Sequence, residues 1–144
     1  NYRHYRRGDI IVSLAGVATN LALALVFAAL VPLVGMLGGQ LPGALPSLSI
    51  LQAMLRYGVL LNLVLVLFNL MPIPPLDGSH VFKHLLPAPL ALRYAQLGRF
   101  GFLVLMLLLV FGGGVLAWWL RPAYALSVAA DRAFAGYLLP TDWR

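Results

Sequence analysis

Asn69-Leu70-Met71-Pro72-Ile73-Pro74-Pro75-Leu76-Asp77-Gly78 is the stretch on which the fold of this 144-residue chain turns. It closes a long apolar run and holds three prolines, one carboxylate and one glycine. The run before it, residues 50–71, has the length and composition of a membrane helix. Each proline lacks an amide hydrogen and restricts the residue before it, so the helix must break here. Broken backbone at membrane depth is tolerated only where it is buried in protein or lines a wet cavity. An acidic side chain in such a place marks a functional site, and Asp77 is the residue to explain.

The composition agrees with a membrane setting. The chain is 62% hydrophobic and 10% charged, with a mean hydropathy of +0.91, whereas soluble domains carry about a quarter charged residues. It has no cysteine, which excludes disulfides, thiolate metal sites and thiol nucleophiles within it. The net charge of +6 raises the question of nucleic acid. The basic residues, however, are scattered at the ends of apolar runs and form no contiguous patch. They read as topology determinants and contacts to the lipid bilayer, with no nucleic-acid partner. The first residue is Asn1, so the chain is expected to be a piece of a longer protein. Arg3, Arg6 and Arg7 imitate the start of a signal peptide, but the apolar run behind them is too long for one.

Working outward, the fold class is all-α: a polytopic membrane helix bundle with about three transmembrane helices and a proline-broken Leu-Asp-Gly loop. The spans are expected near residues 10–35, 50–71 and 100–120, within a core of residues 1–121. An interfacial tail is expected over residues 122–144. On the first span Ser13, Gly16, Asn20, Ala24 and Ala28 recur every three or four residues, a small and polar face that another helix can approach closely. Residues 35–49 read as a short loop, and Arg56 as a side chain that snorkels to the outer interface. Asn62 and Asn69, seven apart, share an inward face. A short helix is expected over residues 78–86, ended by Pro87 and Pro89. Gly112, Gly113 and Gly114 weaken the third span, and Trp118-Trp119 followed by Arg121-Pro122 reads as an interfacial anchor and stop. Lys and Arg number three before residue 10, three over residues 72–99 and none over residues 35–49. The positive-inside rule then places the N-terminus and the Leu-Asp-Gly loop in the cytoplasm.

Two roles compete for Asp77. As an N-cap it accepts backbone amides of the helix that follows; as a metal ligand it offers a carboxylate oxygen at about 2 Å. Composition alone favours the cap. The three-proline setting favours the ligand, because a simple cap does not need it. His80 and His84, at i and i+4 with Asp77 three residues earlier, admit a small local metal site. Against it, most histidines in such loops are interfacial or solvated. Ser79 lacks a Gly-x-Ser-x-Gly elbow, so serine-type chemistry fits poorly.

The pattern Asn-x-x-Pro-x-Pro-x-Leu-Asp-Gly over residues 69–78 resembles the signature of the site-2 protease family of intramembrane zinc metalloproteases. Residues 13–20 resemble that family's Gly-Pro-x-x-Asn segment, with Gly16 and Asn20 in register and Val17 where the family has proline. The resemblance implies a Zn2+ cofactor with Asp77 as the third ligand. The other two ligands and the general-base glutamate are implied on a His-Glu-x-x-His helix; this chain has no such motif, so the helix is expected upstream of Asn1, packed near Gly16 and Asn20. By the same resemblance Asn69 engages the substrate backbone, with helix–helix hydrogen bonding the alternative for its amide. The carbonyls of Pro72 and Pro74, expected from the proline break to stand unpaired, are further candidate substrate contacts. The implied activity is metalloendopeptidase cleavage of transmembrane protein substrates near the cytoplasmic face of a bacterial membrane, with this chain inactive alone. The rival is a non-catalytic membrane scaffold, pseudoprotease or transport subunit.

Overall fold

The computed structural model describes residues 2–140, and the side chains of residues 8 and 11–140. The expectations for the basic stretch with Arg3, His4, Arg6 and Arg7, and for the last four residues of the tail, lie outside what is described. Among the described residues all regular secondary structure is helical. The order is α1 (Tyr2–Gln40), a 3-10 turn (Pro42–Ala44), α2 (Leu45–Asn69), α3 (Asp77–Leu85) and α4 (Ala88–Leu97). A second 3-10 turn (Gly98–Phe100), α5 (Gly101–Phe111), α6 (Gly113–Ala133) and a last 3-10 turn (Ala135–Tyr137) follow. Three helical runs are long and apolar enough to cross a membrane: Ile11–Gln40, Pro42–Asn69 and Ala88–Phe111.

Three boundaries differ from the sequence expectation, and one is the third apolar run, which lies at Ala88–Phe111 rather than near residues 100–120. Residues 35–49 are not a loop: α1 continues to Gln40, and only Leu41 stands between it and the 3-10 turn that feeds α2. Gly35 and Gly38 there serve close packing rather than unwinding. Pro42 and Pro46 fall in first turns, where a missing amide hydrogen leaves no helical bond unmade. The stop expected at Arg121-Pro122 does not form either. α6 runs through Pro122 to Ala133, and the break falls at Gly112, between α5 and α6.

The chain divides into two compact units. The first comprises Asn1–Thr19 and Leu65–Arg121. Its buried side chains include Ser13, Met71, Leu76, Ser79 and Leu120, and Trp119 Nε1 donates to the Leu67 carbonyl at 2.7 Å. The second comprises Asn20–Val64 and Pro122–Arg144. Ala24, Val31 and Val34 of α1, Val59 of α2 and Ala123 of α6 are buried there. Gly58 lets the Phe27 ring approach, since a Cβ on it would lie 2.6 Å from the ring. Asn62 is buried and donates to the Gly58 carbonyl one turn back, at 2.8 Å.

Arg56 is the plainest departure in the second unit. With α2 starting at Leu45, Arg56 is in mid-helix rather than near an end, about 16 Å along the axis. Instead of snorkelling it pairs with Asp131 of α6, Nε donating to Oδ1 at 2.8 Å and Nη2 to Oδ2 at 2.7 Å. A planar guanidinium matches both carboxylate oxygens at once, which fixes orientation as well as charge.

Candidate metal centre

The candidate site is built on the proline break, within the first unit. After α2 ends at Asn69 the backbone makes a series of tight turns. Met71 N bonds to Phe68 O at 3.1 Å, Ile73 N to Met71 O at 2.8 Å and Leu76 N to Ile73 O at 2.8 Å. Pro72, Pro74 and Pro75 have no amide to offer, so these few bonds account for the donors that remain. The Pro74–Pro75 peptide is cis. Met71 and Leu76 are buried to either side and anchor the loop.

Two glycines let backbone pass backbone. Gly78 lies against the carbonyl groups of Leu70 and Met71, and Gly101 against the Pro74 carbonyl, whose oxygen would be 2.5 Å from an added Cβ. Tyr94 of α4 closes the loop from another direction. Its hydroxyl donates to the Pro72 carbonyl at 3.0 Å and is hydrogen-bonded to the buried Ser79 side chain. Its ring meets Phe82 edge-on, at 5.4 Å and 65°. Of the Pro72 and Pro74 carbonyls, both expected to stand unpaired, the first accepts from Tyr94, while the second packs against Gly101. Nothing in their own sequence neighbourhood signals this, because Tyr94 and Gly101 lie beyond α3.

Asp77 is the first residue of α3 and is half-buried. The N-cap position belongs to Leu76, and no side chain caps this helix. The capping role is therefore not taken up. The carboxylate instead faces α1, with Oδ2 3.5 Å from the point a Cβ on Gly16 would occupy. A carboxylate in the first turn of a helix is favourably placed with respect to the backbone dipoles. Asn69 is the last residue of α2, half-buried, at the other end of the proline loop. On α1 Ser13 is buried, and Asn20, in the second unit, is half-buried one turn beyond Gly16.

His80 and His84 do not join Asp77 in a metal site. Among the described residues no three His, Cys, Asp or Glu side chains converge closely enough to hold an ion.

Comparison with known proteins bears on the same stretch. Residues 33–109, which include the whole proline loop and Asp77, match the family model described as Peptidase family M50. The chain belongs to peptidase family M50, the site-2 protease family. A Bacillus subtilis (strain 168) protein named "Putative zinc metalloprotease YwhC" is 34% identical over 109 residues, 76% of this chain. The chain spans about half the length of that curated relative, 49% of it. No solved structure matches. The M50 match begins at residue 33, so Gly16 lies outside it, and its place beside Asp77 is seen in the structure.

Proposed function

We propose that this chain is part of a membrane-embedded zinc metalloprotease and that Asp77 is one of the zinc ligands. The observation that carries the reading is an ionisable carboxylate at a proline-broken helix mouth, left out of capping and turned toward a side-chain-free position on α1. Membership of peptidase family M50 and the name of the Bacillus relative support it. The donor set fits in kind, since zinc accepts carboxylate oxygen alongside imidazole nitrogen. A catalytic zinc takes three protein ligands, and the two remaining ones, with the base, are assigned to a His-Glu-x-x-His helix preceding residue 1.

Zinc, when bound, supplies a Lewis acid and water with a pKa of about 7. The chain's own residues supply position. The loop held by Met71, Leu76, Gly78, Gly101 and Tyr94 fixes where α3 begins, and so where the Asp77 carboxylate stands. Asn69 carries an amide able both to donate to and accept from an unwound substrate main chain. The substrates are transmembrane proteins cleaved near the cytoplasmic face, as the distribution of Lys and Arg implies.

The test is Asp77→Asn in the full-length protein, with zinc content and cleavage of a reporter membrane substrate measured on correctly inserted material. Loss of both is expected. Retained zinc and unchanged cleavage would sink the ligand assignment and favour a non-catalytic role.

A further inference from the structure

The second unit holds a polar site that the metal chemistry does not use. Gln52 of α2 is 2% exposed, and every polar group of its side chain faces main chain. Nε2 donates to the Val31 carbonyl of α1 at 3.0 Å and to the Tyr137 carbonyl at 2.9 Å, while Oε1 accepts from the Leu139 amide at 2.8 Å. The carboxamide thus takes both the acceptor and the donor that an extended segment presents two residues apart. Leu138, between them, is extended, at φ −74° and ψ 125°. The opposite wall is equally specific to backbone. Gly35 lies against the Tyr137 carbonyl, and a Cβ on Gly38 would be 2.6 Å from the Leu139 side chain. No side chain other than hydrogen fits at residue 35.

A fully buried glutamine is tolerated only when its donors and acceptor are satisfied. Here two of the three satisfying groups come from beyond the end of α6. The two glycines and Gln52 form a groove that recognises an extended peptide by its main chain. This is the logic of strand capture, where backbone bonds give affinity and side chains contribute little.

We propose that this groove is a peptide-binding site which the chain fills with its own residues 135–140, a strap that an identical segment supplied in trans can replace. The occupant is read through the Tyr137 carbonyl and the Leu139 amide. Side chains matter only at residue 139, over Gly38. The proposal is independent of the metal assignment.

The experiment uses the full chain carrying Gly38→Cys and Leu139→Cys. The natural sequence has no cysteine, and the Leu139 Cγ is 3.2 Å from the Gly38 Cβ position, which suits a disulfide. A fluorescent peptide with the sequence of residues 134–140 is titrated against this protein in detergent, reduced and oxidised, with anisotropy as the readout. Saturable binding to the reduced form, weakened at least about tenfold on oxidation, is expected. A peptide N-methylated at the position of Leu139 should lose binding, and one with alanine at the position of Leu138 should keep it. Gln52→Ala should abolish binding. If that variant fails to fold, the disulfide and N-methyl arms still decide. Absence of saturable binding to the reduced protein, equal binding after oxidation, or equal binding of the N-methylated peptide would each overturn the proposal.

Discussion

The Asp77 carboxylate at the start of α3 faces Gly16 of α1, with Oδ2 3.5 Å from where a Cβ on residue 16 would be. That distance is an ordinary van der Waals contact, so alanine fits at residue 16 without displacing backbone. Its methyl group nevertheless takes the space beside the carboxylate. Gly16→Ala should therefore raise helix stability by about 0.5–1 kcal/mol, as glycine replacement inside a helix does, while lowering zinc content. Gly16→Leu should lower zinc content further, roughly tenfold or more, the scale seen when groups around a metal ligand are disturbed. Opposite signs for stability and metal retention are the outcome to look for, by thermal unfolding and metal analysis of the full-length protein. Zinc retained in Gly16→Leu would remove Gly16 from the site.

The proline loop depends on Gly101 in a different way. A Cβ there would be 2.5 Å from the Pro74 carbonyl oxygen and 2.6 Å from its carbon. Neither belongs to a side chain that can rotate away. Gly101→Ala must move the loop or α5, at about 1–3 kcal/mol. Because the loop sets the position of Asp77, zinc content should fall along with stability. Native stability in Gly101→Ala would show that the loop yields without strain.

Tyr94→Phe isolates one hydroxyl. The ring contact with Phe82 survives, while the bond to the Pro72 carbonyl and the partner of buried Ser79 are lost. A destabilisation of about 1 kcal/mol is expected. Ser79→Ala in the same background should recover part of it, since no buried hydroxyl is then left unpaired. A double variant as destabilised as the sum of the singles would argue against the network.

Local signals carried much of this structure. The break over residues 69–78 and the short helix that follows it were legible, because proline acts on the backbone where it stands. Gly112, by contrast, was read only as a weak point in a span that in fact ends there. The membrane class was legible from composition. Helix continuation through Pro122 was not, since local proline rules say nothing about the tertiary packing that carries a helix past one. At the candidate site the sequence singles out Asp77, while the Tyr94 bond to the Pro72 carbonyl and the packing of Gly101 on the Pro74 carbonyl come from residues that no local pattern connects to the loop. Gln52 and Arg56 gave even less warning. Their partners lie 85 and 75 residues away, near the other end of the chain.

The Arg56–Asp131 pair makes the last prediction, because its environment decides its worth. Each side chain is 33% exposed, and in water a pair of that exposure contributes at most about 1 kcal/mol and weakens with salt. α2, however, is one of the runs apolar enough to cross a membrane, and Arg56 stands in its middle. If the exposed third faces hydrocarbon, salt cannot screen the pair, and either charge left alone is costly. A double-mutant cycle with Arg56→Met and Asp131→Leu separates the cases. Each single change should destabilise the protein, and the double should recover most of the loss, with a coupling of about 0.5–3 kcal/mol. The coupling should be the same at low and high ionic strength in lipid nanodiscs. A coupling that fades as salt is raised would place this pair in water.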